Sequence, residues 1–141
     1  MRMERFKAED IEKLRDNDGQ EYLVSIMDPK MLGNLVSSGD HYSFFAEDVL
    51  VGCGGVAKLN DWRGVAWALF QTGKPQYFLG LHRGALQILR AQPFRRIESY
   101  VDPTVPQSVR WIKLLGFELE TPYKPYFFPD GRGAAEWVFW N

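Results

Sequence analysis

The side chains in this chain that can move a proton cluster around one short segment. Glu98, Tyr100 and Asp102 follow one another at every second position, and two carboxylates bracketing a phenol supply a general base and a proton donor. Tyr123 and Tyr126 are further donors, and His82 is the remaining candidate base. Each has a structural alternative. Glu98 can pair with Arg95 or Arg96, Asp102 before Pro103 is a common turn starter, and His82 can be an ordinary residue near a helix start. Cys53 lies in the glycine-rich run Gly52-Cys53-Gly54-Gly55 with no histidine near it in sequence, the setting of a small buried thiol rather than a nucleophile. That run lacks the Lys-Ser/Thr that closes a phosphate-binding P-loop. His41 and His82 stand far apart without ligand spacing, so no metal site is expected.

The elements that must position these residues follow from periodicity. Arg95–Leu119 reads RRIESYVDPTVPQSVRWIKLLGFEL. Ile97, Ser99 and Val101 alternate with Glu98 and Tyr100, which predicts a strand. A Pro-punctuated turn leads to a helix with Val109, Trp111, Ile112 and Leu115 apolar. Gly116 stops it in a left-handed C′ conformation, and Phe117 and Leu119 open the next strand. Upstream, the pattern predicts a strand over Met3–Phe6, a helix over Ala8–Arg15, and a second helix from Pro29 with Met31, Leu32, Leu35 and Val36 as its stripe. A hairpin pairs Tyr42–Ala46 with Val49–Leu59 through Glu47-Asp48, and a strand covers Gly64–Gln71. The glycines at 52, 54 and 55 indicate a bulge or the close approach of another chain or ligand. A helix over Leu81–Gln92 buries Leu81, Ala85, Leu86 and Leu89. Pro122–Pro129 forms an aromatic loop, and Ala134–Trp140 the final strand. The order is one domain over residues 1–141 of the α+β (mixed α/β) class.

Bulk properties set limits. The chain has 141 residues with five Trp, six Tyr and ten Phe, enough apolar area for a full core. The net charge of −1 conceals blocks: residues 63–113 carry 8 basic and 2 acidic side chains, whereas residues 1–62 carry 7 basic and 12 acidic. The cationic block suits a phosphorylated ligand, or forms solvated helix faces. The balance and the absence of a recognised motif argue against nucleic acid. A single cysteine fits a reducing compartment. With no apolar leader and no long apolar run, neither a signal peptide nor a membrane span is expected.

The element order and the helix ended by Gly116-Phe117 resemble the GCN5-related N-acetyltransferase (GNAT) family, which joins an acyl-coenzyme A to an amine by direct attack on the thioester. The resemblance implies a mixed central sheet of about six or seven strands with about four helices. It implies acetyl-CoA as co-substrate and a small amine or a protein amino group as acceptor. A bulged strand ending at Leu69, Phe70 and Gln71 would receive the pantetheine arm like an added strand. The segment Phe78-Leu79-Gly80-Leu81-His82-Arg83-Gly84-Ala85 stands where the family has its cofactor loop. Gly80, Leu81, His82, Arg83, Gly84 and Ala85 would thus hold the pyrophosphate through backbone N–H groups and the helix dipole.

Ile112 stands where many members have the tyrosine that protonates the leaving thiolate, and Val105 where an asparagine is common. Glu98, Tyr100 and Ser108 are then the residues for the chemistry. Ser108 either meets the cofactor's sulfur region or caps the helix near Pro106. The alternative is a non-catalytic protein of the same fold. Ser108, Arg110, Ile112, Lys113 and Gly116 resemble acetyltransferase-like proteins of tailed phages, some of them internal virion proteins. The expected location is cytoplasmic, or the host cytoplasm or virion for a phage protein. Virion partners, or a homodimer built on the last strand and the aromatic loop, are the expected associations.

Overall fold

The computed structural model describes residues 1–15, 33–34, 36–71 and 73–141. Strand β1 (Arg2–Arg5) leads to helix α1 (Glu9–Arg15), whose first turn carries Glu9, Asp10 and Glu12 at the positive end of the helix dipole. Ile11 and Leu14 are its buried apolar side chains, and Asp10 is buried with them. The helix predicted from Pro29 lies largely outside the described residues. The hairpin forms as expected from β2 (Asp40–Ala46) and β3 (Val49–Lys58), with Glu47 in the left-handed region at φ 56°. Next come β4 (Arg63–Phe70), a 3-10 turn (Pro75–Tyr77), α2 (Phe78–Arg90) and β5 (Arg96–Val101). The chain finishes with α3 (Pro106–Leu114), β6 (Glu118–Lys124) and β7 (Ala134–Trp140).

The seven strands form one mixed sheet in the order β1-β2-β3-β4-β5-β7-β6. Only β4 and β5 run parallel. Helices α2 and α3 pack on one face, over a core that includes Val56, Leu81, Leu89, Ile97, Ile112, Leu115 and Trp137. Helix α1 covers the other face through Ile11 and Leu14, with Leu50, Cys53 and Leu69. Among the described residues no helix is long and apolar enough to cross a membrane.

Helix α3 ends as its sequence requires. Gly116 takes φ 95°, its N–H donates to Lys113 O at 3.0 Å, and the Phe117 N–H donates to Ile112 O at 3.2 Å. These are the two bonds of a Schellman cap.

Four expectations change. Helix α2 begins three residues early, because Pro75 seeds a 3-10 turn that runs directly into it. The irregularity expected in β4 is in the hairpin instead: β3–β4 pairing is continuous from Lys58/Gly64 to Gly52/Phe70, whereas the β2–β3 register shifts between Phe44 and Phe45. Gly55 answers to the close approach of a strand, since a Cβ there would lie 2.2 Å from Asp40 O. Strand β6 runs through Pro122 to Lys124, so the aromatic loop starts at Pro125; a proline is tolerated there because β6 is an edge strand. Finally, β7 is hydrogen-bonded on both sides, to β5 and β6, and offers no edge to a second copy.

Candidate functional site

The parallel ladder between β4 and β5 is short. It pairs Arg63 with Arg96, Gly64 with Ile97 and Val65 with Glu98, and then ends. Beyond it the strands part, and Trp67–Phe70 keeps only its β3 neighbour. The Gln71 N–H donates to Val51 O at 2.9 Å, which sets the alternation of the antiparallel ladder. Leu69 and Gln71 therefore turn their backbone groups toward β3, whereas Ala66, Ala68 and Phe70 turn theirs into the opening. Ala68 is accordingly exposed in mid-strand. Of Leu69, Phe70 and Gln71, expected to receive an extended ligand, Phe70 faces the gap. Ala66 and Ala68 join it, and strict period-2 counting back from Phe70 was the signal for them.

Helix α2 starts at the mouth of this opening. The Phe78 N–H donates to Pro75 O, so Leu79 and Gly80 carry the first amides without an intrahelical carbonyl. His82, Arg83, Gly84 and Ala85 lie deeper in the helix. Leu81 is buried in the core, and Gly84 is buried against the Phe44 ring. Arg83 is exposed on the outer surface. The His82 Nδ1 accepts from Trp111 Nε1 at 3.2 Å, and the Trp111 ring meets Phe70 edge-on at 5.0 Å and Phe78 at 6.2 Å. This cluster ties α3 to the first turns of α2 across the end of β4.

The proton-transfer candidates separate. Glu98 is 2 % exposed, and Arg63 Nη2 donates to both its oxygens at 2.8 and 2.9 Å. Arg96 adds a bond from Nε at 3.2 Å and reaches Glu120 at 2.6 Å through Nη1. Glu136 closes the network with Lys124 at 2.6 Å. Hydrogen bonding to Glu120, above all, raises the Arg96 pKa, and the same bond lowers that of Glu120. Glu98 thus pairs with Arg96 as its structural alternative held, and with Arg63, which local sequence could not indicate.

Tyr100 is half-buried on the same face, its ring stacked on Phe127 at 4.4 Å. Burial, and then the charges of Glu98 and Glu136, raise its phenol pKa. The aromatic loop that carries Phe127 is pinned by Arg132, which bonds Asp102 at 3.3 Å and Asp130 at 3.1 Å. Asp102 fulfils its turn role by accepting from Thr104 N and Oγ1 at 2.9 and 2.7 Å. Ser108 is not the cap of α3, because Val105 occupies that place and makes no side-chain cap bond. Ile112, at the family's acid position, is buried in the core.

Cys53 sits under α1, and burial, with the nearby Asp10, pushes its thiol pKa up, away from thiolate chemistry. Asp10 instead accepts from Ser43 Oγ at 2.7 Å. His41 lies in the same region, with Nε2 donating to Ser38 O at 2.8 Å and Nδ1 accepting from Trp67 at 2.9 Å. Among the described residues no three His, Cys, Asp or Glu side chains gather as metal ligands.

No protein-family model matches the sequence, and no curated protein does so significantly. Solved structures do match. A probable acetyltransferase from Staphylococcus epidermidis superposes with a TM-score of 0.77 at 10% identity, covering 99% of this chain and 98% of that one. Ard1 from Thermoplasma volcanium gives 0.77 at 14% identity over 99% and 96%. A GNAT family acetyltransferase from Elizabethkingia anophelis with acetyl-CoA bound gives 0.74 at 10% identity over 99% and 97%. At such identities the backbone path is what is shared, and it is shared over essentially the whole chain. The chain carries the GNAT acyltransferase fold.

Proposed function

We propose that this protein is an acyl-CoA-dependent N-acyltransferase that takes acetyl-CoA as co-substrate. The observation that carries the reading is the opening between β4 and β5, lined on one side by the backbone groups of Ala68 and Phe70, which no neighbouring strand pairs. An extended pantetheine arm carries amides that can pair with those groups as an added strand. The first turn of α2, with the Leu79 and Gly80 amides, suits the pyrophosphate. Arg83, one turn further, adds positive charge on the exposed side. The acceptor is a small amine or a protein amino group approaching near Tyr100 and the aromatic loop.

In the reaction the amine nitrogen attacks the thioester carbon, the C–S bond breaks, the ammonium loses a proton and the thiolate gains one. Tyr100 suits the last step, because its raised pKa keeps the phenol protonated. Glu98 serves by holding Arg63 and Arg96 in place on the Tyr100 face. A single buried thiol supports a reducing, cytoplasmic setting.

A second reading, a non-catalytic virion or interaction protein of the same fold, is favoured by one feature. Trp111, bonded to His82 and packed on Phe70 and Phe78, bridges α3 and α2 where a cofactor would leave the opening.

Thermal unfolding with added ligand separates the two. At 1 mM acetyl-CoA and a Kd of about 10 µM, linkage gives about 2.7 kcal/mol, a rise in Tm of about 10 °C. Arg83→Glu is expected to remove most of that rise without lowering the Tm of the free protein. No rise with either CoA or acetyl-CoA at millimolar concentration sinks the enzymatic reading.

A further inference from the structure

One buried donor on the helix side of the opening has no partner. Trp137 Nε1 is the only buried side-chain nitrogen or oxygen, among the described residues, that makes no hydrogen bond, and the residue is only 6 % exposed. Buried donors are normally satisfied, so an orphan asks for an explanation.

Its place in the sheet supplies one. Trp137 is the register partner of Ser99 on β5. Ser99 follows Glu98, which forms the last ladder pair with Val65 of β4. Ala66, Ser99 and Trp137 therefore make one row across three strands, one residue beyond the point where β4 and β5 part. The Ser99 hydroxyl donates to Ala66 O at 3.3 Å, a long bond across the start of the opening. Directly opposed side chains on one face of a sheet stand about 5 Å apart, close enough to share a single acceptor atom.

The surroundings restrict the acceptor. An indole N–H only donates. Trp137 belongs to the apolar cluster that also holds Val101, Ile112, Leu115 and Ala135. A bound anion would lose its hydration among those apolar side chains, whereas a neutral carbonyl oxygen enters at small cost and is well matched.

We propose that Trp137 Nε1 and Ser99 Oγ, the hydroxyl turning from its long bond to Ala66 O, are the donors for the acyl carbonyl oxygen of the bound thioester. This rests on the acyltransferase reading and adds the group that recognises the acyl end. Both bonds strengthen as the attacking amine pushes charge onto that oxygen. Free CoA has no such oxygen, so the pair favours the acylated over the free thiol.

The test is calorimetric titration of acetyl-CoA and free CoA into the wild type, Trp137→Phe and Ser99→Ala. The phenyl ring keeps most of the bulk and removes the N–H. Each variant is expected to lower the preference for acetyl-CoA by about fivefold while leaving CoA affinity unchanged. In parallel, the Trp137 indole proton resonance of the wild type is expected to move downfield with acetyl-CoA and not with CoA. That measurement, together with Ser99→Ala, decides the matter if Trp137→Phe does not fold. An unchanged preference in the folded variants, or an indole signal indifferent to the acyl group, overturns the proposal and leaves the acyltransferase reading standing. Failure of the wild type to bind either compound overturns both.

Discussion

The two faces of β5 present opposite solutions to burying polar groups. On one, Glu98 and its neighbours form a network of Arg63, Arg96, Glu120, Glu136 and Lys124 in which each charge meets its opposite. On the other, one residue along, Ser99 makes a single long bond and Trp137 makes none. The face rich in catalytic residue types is electrostatically closed. The face that reads as plain core holds the open donor. A charged side chain signals chemistry in a sequence, but a buried charge has to be neutralised first, and here that requirement consumes Glu98.

Substitutions on the two faces should therefore fail in different ways. The largest effect is expected from Glu98→Ala, which leaves Arg63 without its carboxylate and Arg96 with a poorer set. Both guanidinium groups retain some solvent, so the loss is about 2–3 kcal/mol, read from denaturant unfolding. A loss below about 0.5 kcal/mol would mean that the network is surface decoration. Next come Trp137→Phe and Ser99→Ala, each about fivefold on the preference for acetyl-CoA with stability nearly preserved. If Glu98→Gln, in a folded protein, changes that preference more than Trp137→Phe does, the division of labour between the faces is wrong.

The smallest stability effect belongs to Tyr100→Phe, which keeps the stacking on Phe127 and should cost under about 1 kcal/mol, while turnover falls if the phenol supplies the proton. Its pH dependence has a definite sign. The folded chain holds the Tyr100 proton to higher pH than the unfolded chain. The stability this contributes is complete below the unfolded tyrosine range, near about pH 10, and is lost as pH rises through the folded value. The difference in stability between wild type and Tyr100→Phe should therefore narrow across about pH 9 to 11. A difference that widens there contradicts the placement of Tyr100 beside Glu98 and Glu136.

Local physics was legible in the chain itself. The Glu47-Asp48 hairpin, the α3 stop at Gly116-Phe117 and the order of strands and helices depend on side-chain period and on residues with special backbone freedom. Leu81 and Leu89 of the α2 stripe were readable for the same reason, whereas Gly84 and Ile88 are buried and the expected Ala85 and Leu86 only half so. Its first turn was not readable, because a proline-led 3-10 turn can either stand alone or feed a helix. The likeness of α3 and its cap to one family led to the correct fold.

What only the tertiary structure decided is pairing across distance. Arg63 and Glu98 are 35 residues apart, and nothing local to either indicates that they meet. Whether β7 is an edge or an interior strand depends on β6 folding back beside it. The backbone groups that face the β4–β5 opening depend on the register with β3, and the unpartnered Trp137 donor depends on which residues of three strands fall in one row. Sequence periodicity assigns a residue to a face. The register between strands assigns its neighbours, and in this protein those neighbours separate an ion-paired carboxylate from an unpartnered donor in the next row.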